Sequence, residues 1–158
     1  MKTLPRGATA PDFELADQSG RRRRLSTLLE SAPVVLFFYP AAMTGGCTRE
    51  ACRFRDLRAE FEAAGAQPVG ISTDAVATQQ EFDERNGFGF PLLSDEGGAV
   101  ATAYGVRRRF ITPVKRVTFV IGTEGTIHHV VASELDMDAH ADRALAAVAG
   151  LVDAGGRD

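Results

Sequence analysis

The chain has 158 residues, a formal net charge of −3 at neutral pH, 44% hydrophobic residues and 25% charged residues. This length suits one domain, taken as residues 1–158, with a substantial buried core. The acidic balance argues against a general nucleic-acid binder, which needs a basic surface. Since no run approaches the roughly 18 apolar residues of a membrane span, neither nucleic acid nor membrane is expected as a partner.

The start of the chain and its cysteine content indicate the compartment. Residues 1–7 lack the apolar core of a secretory signal peptide. The two cysteines, Cys47 and Cys52, are too few for a disulfide framework. A close pair in a reducing compartment is more often catalytic or metal-binding than structural. We therefore expect a cytoplasmic protein.

Two short extended pieces, 13–15 and 21–24, flank turn-forming residues and predict an N-terminal β-hairpin. The second piece consists of four consecutive arginines. They could form a basic patch for an anionic partner, but we favour a solvated edge strand, where charge discourages aggregation. Ser26 is predicted to cap a brief helical turn through Glu30.

The central strand is predicted over 34–39, an apolar run without alternation, as expected where both faces of a parallel α/β sheet are covered. Pro40 ends this strand. After a short glycine-containing loop, one helix is predicted from Cys47 to about Ala64, and a second strand follows over 68–71. The strand–helix–strand unit predicts two parallel strands joined by a right-handed crossover.

The remaining segments complete an α/β pattern. They are a helix over 75–85 capped by Ser72–Asp74 and ended by Asn86–Gly87, an extended piece over 90–93, a helix from Asp95 to Tyr104, a hairpin of strands 117–121 and 126–131, and a helix over 138–151. Residues 153–158 are expected to form a frayed tail. The predicted fold is a central mixed β-sheet flanked by helices, with an N-terminal hairpin.

Cys47 opens the helix after the central strand, and a thiol at that place is a candidate reaction site. The helix N-terminus carries partial positive charge and unpaired N–H groups, which favour the thiolate, the reactive form of cysteine. Cys52 follows five residues later, so on an unbroken helix the two Cα atoms lie roughly 8–9 Å apart. Because a disulfide needs about 7 Å or less, the pair could bond only after the first turn unwinds. That order of events fits a cysteine that is oxidised in place and then captured by a resolving partner.

A strongly favoured thiolate also needs a buried cation, because a helix terminus contributes at most about 2 kcal/mol to an adjacent anion. Arginine is the best choice, since it stays charged and its planar group can bind two atoms at once. The candidates are Arg49, Arg53, Arg107, Arg108, Arg109 and Arg116. The first two lie on the predicted polar face of the helix and are expected to be solvated. The sequence leaves the choice between Arg116 and the three consecutive arginines open.

A set of motifs surrounds these residues: Phe38–Pro40, Thr44, Cys47–Thr48 and Glu50–Cys52. Further matching segments run through nearly the whole chain: 10–13, 54–56, 70–74, 91–95, 104–106 and 116–121. Together they resemble the peroxiredoxins, in particular the bacterioferritin comigratory protein (PrxQ) subfamily, whose hallmark is a resolving cysteine five residues after the peroxidatic one. The resemblance implies a thioredoxin-like fold and thiol-dependent reduction of hydrogen peroxide and organic hydroperoxides.

By this resemblance, Cys47 is the nucleophile that attacks a peroxide oxygen and becomes a sulfenic acid. Cys52 resolves it as an intramolecular disulfide, which thioredoxin or a similar dithiol protein reduces. Thr44 and Arg116 would hydrogen-bond the peroxide and the thiolate, and Pro40 would shield the sulfur and shape the pocket. The resemblance implies neither a metal nor an organic cofactor, and it leaves a monomer and a weak homodimer open.

One departure concerns Gly45, where the subfamily often has proline. Glycine costs more entropy to order than other residues. We therefore expect the first turn to open more easily here, with faster disulfide formation than in a variant that carries proline.

Other interpretations of the cysteines remain open at this point. Both thiols could be small packing residues, and a metal site would need more soft ligands than two. His128 and His129 alternate along a strand, so at most one could join such a site; with His140 they are taken as structural or solvated. A thioredoxin-like disulfide reductase would use a Cys-x-x-Cys pair, which is absent. The alternative function is a redox-responsive binding or holdase module switched by a Cys47–Cys52 disulfide.

Overall fold

The computed structural model describes residues 2–108 and 113–155, the last four through their backbone alone. Its elements, in chain order, are β1 (Glu14–Ala16), β2 (Arg22–Arg24), α1 (Leu25–Leu29), β3 (Val34–Phe38), α2 (Gly45–Asp56), α3 (Arg58–Ala63), β4 (Gln67–Ser72), α4 (Val76–Asn86), β5 (Leu92–Ser94), α5 (Ala99–Ala103), β6 (Val117–Ile121), β7 (Ile127–Ala132) and α6 (Met137–Gly155). Within these residues, no helix is long and apolar enough to cross a bilayer.

The main sheet of the described residues has the strand order β5-β4-β3-β6-β7. The strands β3, β4 and β5 run parallel, with α2 and α3 in the crossover from β3 to β4. The strand β6 is antiparallel to β3, and β7 is antiparallel to β6. A separate antiparallel hairpin joins β1 and β2. The predicted α/β class, mixed sheet and N-terminal hairpin are thereby confirmed.

The strand β3 lies at the centre of the sheet, and both of its faces are buried. Successive side chains point to opposite faces of a strand, so Leu36 and Phe38 enter one apolar cluster while Phe37 and Tyr39 enter another. Cys47 belongs to the second cluster, which side chains of α2, α4 and α6 complete. This face of the sheet positions the candidate site.

The single helix predicted from Cys47 to Ala64 is wrong in its bounds. Observed α2 begins two residues earlier, and α3 is a separate helix after Leu57, whose ψ of 9° departs from helical geometry. The spacing of apolar residues in the sequence does not reveal this break, because Phe54 before it and Phe61 after it are buried in the same cluster.

The helix predicted from Asp95 is wrong at its start, since α5 begins four residues later. Gly97 and Gly98 have φ values of 84° and 73°, a left-handed backbone that a right-handed helix does not include. The Asp95 carboxylate instead accepts the N–H groups of Val100 and Ala101, at 3.1 and 2.9 Å. It therefore satisfies two of the unpaired donors of α5 from outside the helix.

Two predicted caps are also wrong. Ser26 lies inside α1, and its N–H and hydroxyl group both donate to the carboxylate of Asp12. The helix α4 is preceded by Ala75 rather than capped by residues 72–74. Its predicted end is confirmed, because Gly87 adopts the left-handed conformation with φ of 60°.

The two ends of the chain follow the predictions in part. Each arginine of β2 has an acidic partner: Arg22 pairs with Glu14, Arg23 with Asp17 and Arg24 with Asp12. This matches a charged edge strand better than a patch kept free for an anion. At the other end, α6 continues to Gly155, beyond the predicted end at residue 151, so the frayed tail predicted from residue 153 is wrong for residues 153–155, and residues 156–158 lie outside the described residues.

Candidate active site

The thiol of Cys47 is buried in the first turn of α2. Thr44 precedes the helix with an extended backbone, and Cys47 is the third helical residue. Cys47 is 1% exposed. The N–H groups of a first helical turn have no carbonyl inside the helix to bind, and they place partial positive charge beside the sulfur.

The guanidinium of Arg116 lies beside this thiol. Its Nη2 is 3.4 Å from Cys47 Sγ, and the residue is 7% exposed. The start of β6 pairs with the end of β3, so Arg116, just before β6, lies where the chain leaves β3 for α2. Burial opposes the charged guanidinium, but the neighbouring Glu50 and Cys47 raise the pKa of Arg116 above its ordinary value.

The other candidate arginines of the sequence are Arg49, Arg53, Arg107, Arg108 and Arg109. The first two lie on the outer face of α2 and form ion pairs with carboxylates of α6, at 3.1 and 2.9 Å. Arg107 donates to the carbonyl of Gly97, and Arg108 donates to the carboxylate of Glu134. Arg109 lies outside the described residues. Among the arginines that the structure describes, it is Arg116 that reaches the thiol.

Thr44 and Pro40 flank the same turn. The Thr44 hydroxyl donates to the carbonyl of Ala41 at 2.8 Å, and the residue is exposed. Its oxygen retains lone pairs, and the hydroxyl can rotate toward a ligand above the turn. Pro40 is buried two residues after the end of β3, between the strand and the loop that leads to Cys47.

Cys52 is half-buried on α2, and neither cysteine forms a disulfide. Its Sγ lies 3.6 Å from Oδ1 of Asn86, the last residue of α4. Burial raises the pKa of the Cys52 thiol, and the nearby Arg55 opposes this effect. Cys52 is therefore held as a thiol against α4 while Cys47 faces Arg116.

Comparison with known proteins identifies the family. A family model described as AhpC/TSA family matches residues 6–130. The crystal structure of peroxidoxin BcpB from Mycobacterium tuberculosis is similar with a TM-score of 0.89 and 56% identity, over 92% of this chain and 97% of that one. The chain belongs to the peroxiredoxins of the AhpC/TSA family.

Two further relatives connect this peroxiredoxin to the PrxQ group. Chloroplastic peroxiredoxin Q from Sedum lineare is 40% identical over 143 residues, covering 90% of this chain and 76% of that protein. The bacterioferritin comigratory protein of Xanthomonas campestris, described in a study of alkyl peroxide reduction, has a TM-score of 0.82 and 30% identity over 89% of this chain and 92% of that one. The predicted PrxQ resemblance and thioredoxin-like fold are confirmed.

Glu50 is a residue of the site that sequence reasoning missed. It is fully buried, with Oε2 3.4 Å from Nη1 of Arg116, while Oε1 is buried without a hydrogen-bond partner among the described residues. Burial raises the pKa of the Glu50 carboxyl to about 8, against the attraction of Arg116. The spacing of Glu50 from Cys47 could have predicted this position. Residues three apart on a helix lie on the same face, so the Glu50 side chain points into the protein on the same side of α2 as Cys47.

His140 was also given no role, and the structure buries it completely behind Glu50. Its Nε2 lies 2.7 Å from the carbonyl oxygen of Ser133 and 3.6 Å from Glu50 Oε2, and its Nδ1 lies 2.8 Å from the hydroxyl of Thr118. Because a carbonyl only accepts, Nε2 carries the proton and Nδ1 accepts from Thr118. Burial lowers the pKa of His140, so the ring is neutral at pH 7. No sequence motif pointed to this contact.

The loop before α2 is held by a further residue that the sequence did not single out. Asp74, after β4, accepts the N–H of Ala42 at 2.8 Å and the hydroxyl of Ser72 at 2.6 Å. Next to Ala42, Met43 has φ of 63°, an unusual backbone for a residue other than glycine. A strained residue beside a functional loop persists where the surrounding contacts hold it, and Asp74 supplies such a contact.

The candidate site therefore contains one cation between two acidic groups. Arg116 lies 3.4 Å from both Cys47 Sγ and Glu50 Oε2. When Glu50 carries a proton, the Cys47 sulfur is the remaining acidic partner of the Arg116 guanidinium. Among the residues that the structure describes, no three His, Cys, Asp or Glu side chains gather as metal ligands would.

Proposed function

We propose that this peroxiredoxin reduces hydrogen peroxide and organic hydroperoxides with Cys47 as the peroxidatic cysteine and Cys52 as the resolving cysteine. The observation that carries the proposal is the 3.4 Å contact between the Cys47 sulfur and the buried guanidinium of Arg116. A buried cation at a helix N-terminus favours the thiolate. The Xanthomonas campestris relative, described by its alkyl peroxide reduction, supports organic hydroperoxides as substrates.

In the first step, the Cys47 thiolate attacks one oxygen of the hydroperoxide and the O–O bond breaks. The sulfur becomes a sulfenic acid, and the other oxygen leaves as water or an alcohol after taking up the proton that the Cys47 thiol released when it ionised. Arg116 and the hydroxyl of Thr44 would hydrogen-bond the two oxygens as negative charge moves from one to the other. Pro40 would cover the sulfur and limit its contact with water. No metal or organic cofactor takes part.

In the second step, the Cys52 sulfur attacks the sulfenic acid, water leaves, and an intramolecular disulfide forms. The two residues start on an unbroken α2, so the first turn has to unwind for the sulfurs to meet. A dithiol protein such as thioredoxin would then reduce the disulfide. A reducing compartment such as the cytoplasm would supply that dithiol, and we propose the cytoplasm as the location, with a single domain acting as a monomer or weak homodimer.

The proposal is tested by peroxide consumption with a thioredoxin system, using wild type, Cys47→Ser and Cys52→Ser. We expect wild type to turn over many times and Cys47→Ser to consume no peroxide. Cys52→Ser should react once and then accumulate a sulfenic acid on Cys47, which dimedone traps for mass spectrometry. A wild type that oxidises once without turnover would indicate the redox-responsive binding module instead.

A further inference from the structure

The contact between Cys52 and Asn86 has no place in the steps above. The thiol of Cys52 lies between α2 and the C-terminal end of α4, with Sγ 3.6 Å from Asn86 Oδ1, within reach of a hydrogen bond to sulfur. Both residues are half-buried. The contact therefore joins the proposed resolving cysteine to α4, a helix that contains neither cysteine.

Two other hydrogen bonds fix Asn86 in place. Its Nδ2 donates to the carbonyl of Phe82 at 2.9 Å, and its own backbone carbonyl accepts Nη1 of Arg55 at 2.8 Å. Because the Phe82 carbonyl only accepts, the amide nitrogen must face it, and the amide oxygen must face Cys52. Cys52 and Arg55, three residues apart on one face of α2, thus bind the same residue of α4.

An amide oxygen accepts a hydrogen bond and cannot donate one. It stabilises the thiol of Cys52 and gives nothing to the thiolate, which is the form that attacks a sulfenic acid. We propose that Asn86 is a positioning residue for the resolving step, holding Cys52 as a thiol on α4 and delaying its capture of the Cys47 sulfenic acid. This inference rests on the proposed roles of the two cysteines.

The delay determines what else the sulfenic acid can meet. While Cys52 is held, an external thiol can attack the Cys47 sulfenic acid, forming a mixed disulfide and releasing water. Alternatively, a second hydroperoxide can oxidise it to a sulfinic acid, itself being reduced to an alcohol or water. Asn86 therefore shifts the partition between the intramolecular disulfide and these competing products.

Two substitutions separate this role from a structural one. Asn86→Ala removes the acceptor for Cys52 and the donor to Phe82, whereas Asn86→Asp keeps an acceptor but loses that donor. Each reduced protein is mixed with one equivalent of hydrogen peroxide, quenched at intervals with dimedone or an alkylating agent, and analysed by mass spectrometry. The first step, oxidation of Cys47, is followed in the same samples and is expected to be unchanged.

We expect the disulfide to form about two- to fivefold faster in Asn86→Ala, the range for a weak hydrogen bond, and no faster than wild type in Asn86→Asp. In Asn86→Ala, the peroxide concentration at which half of the Cys47 is over-oxidised to sulfinic acid during turnover should also be higher than in the wild type. Equal acceleration in both variants would mean that only the end of α4 had loosened, and it would overturn the inference. An alanine variant no faster than wild type would do the same. Failure of the proposed function is distinguishable, because Cys52→Ser would then give no dimedone adduct on Cys47.

Discussion

Replacing Glu50 with glutamine tests the most unusual feature of the site, a fully buried carboxyl beside a buried guanidinium. Glutamine has nearly the same shape as a protonated glutamate and still offers an oxygen to Arg116. The two side chains differ when Glu50 ionises, because only the glutamate then places a second negative charge beside the one cation. The variant should therefore resemble the wild type at low pH and diverge from it as the pH rises.

The size of the divergence follows from the pKa. Burial raises the pKa of Glu50 from 4.5 to about 8, so the folded protein keeps this proton over a range in which the unfolded chain has lost it. The contribution of Glu50 to the free energy of unfolding is therefore fully present below pH 4.5 and is lost as the pH rises toward 8, by about 1.4 kcal/mol per pH unit and on the order of 5 kcal/mol in total. Glu50→Gln lacks this slope, while the opposing slope of His140, whose pKa burial lowers, is present in both proteins.

Urea unfolding of the reduced proteins between pH 5 and pH 8 measures the effect. The difference in unfolding free energy, Glu50→Gln minus wild type, should grow by several kcal/mol across this range. Glu62→Gln makes the same chemical change at an exposed position of α3, and its stability profile should run parallel to the wild type. A parallel profile for Glu50→Gln as well would show that Glu50 titrates normally in the folded state, and our account of a protonated Glu50 beside Arg116 would be refuted.

Three other predictions concern glycines near the site and in the sheet. A Cβ on Gly46 would lie 3.2 Å from Arg116 Nη2, so Gly46→Ala should displace the guanidinium. We expect peroxide reduction, measured by stopped flow, to slow about tenfold, which corresponds to roughly 1.4 kcal/mol in the activation free energy. The control is Gly45→Ala, which should react like the wild type because a Cβ there would have no neighbouring atom within 4 Å. Gly45 is the first residue of α2 after an extended Thr44, where proline fits, so Gly45→Pro should stiffen the first turn and slow disulfide formation in quenched flow; equal rates would count against this. A Cβ on Gly70 would lie 2.9 Å from the Phe37 ring, so Gly70→Ala should lower the free energy of unfolding by about 1–3 kcal/mol, and an unchanged urea midpoint would contradict it.

The local features of the active site could be predicted from the sequence. The unbroken apolar run of β3, the proline after it and the glycines before Cys47 indicated a buried strand, a loop and a helix start. These features depend on the conformational preferences of neighbouring residues. The spacing of the two cysteines likewise limited when they could bond. Helix bounds were less predictable, because Gly97 and Gly98 could equally have belonged to a helix or preceded it.

The sequence by itself determined the class of fold, and it placed the candidate thiol at a helix start and led us to expect a cation near it, because each of these follows from short segments and their chemistry. Only the tertiary structure decided that Arg116 supplies that cation, that Glu50 competes for it, and that Asn86 faces Cys52. These contacts join residues 69, 66 and 34 positions apart. The energies of these contacts depend on burial and on distances of a few ångströms. The packing of α2 against β6, α4 and α6 sets these distances, and no local sequence pattern encodes them.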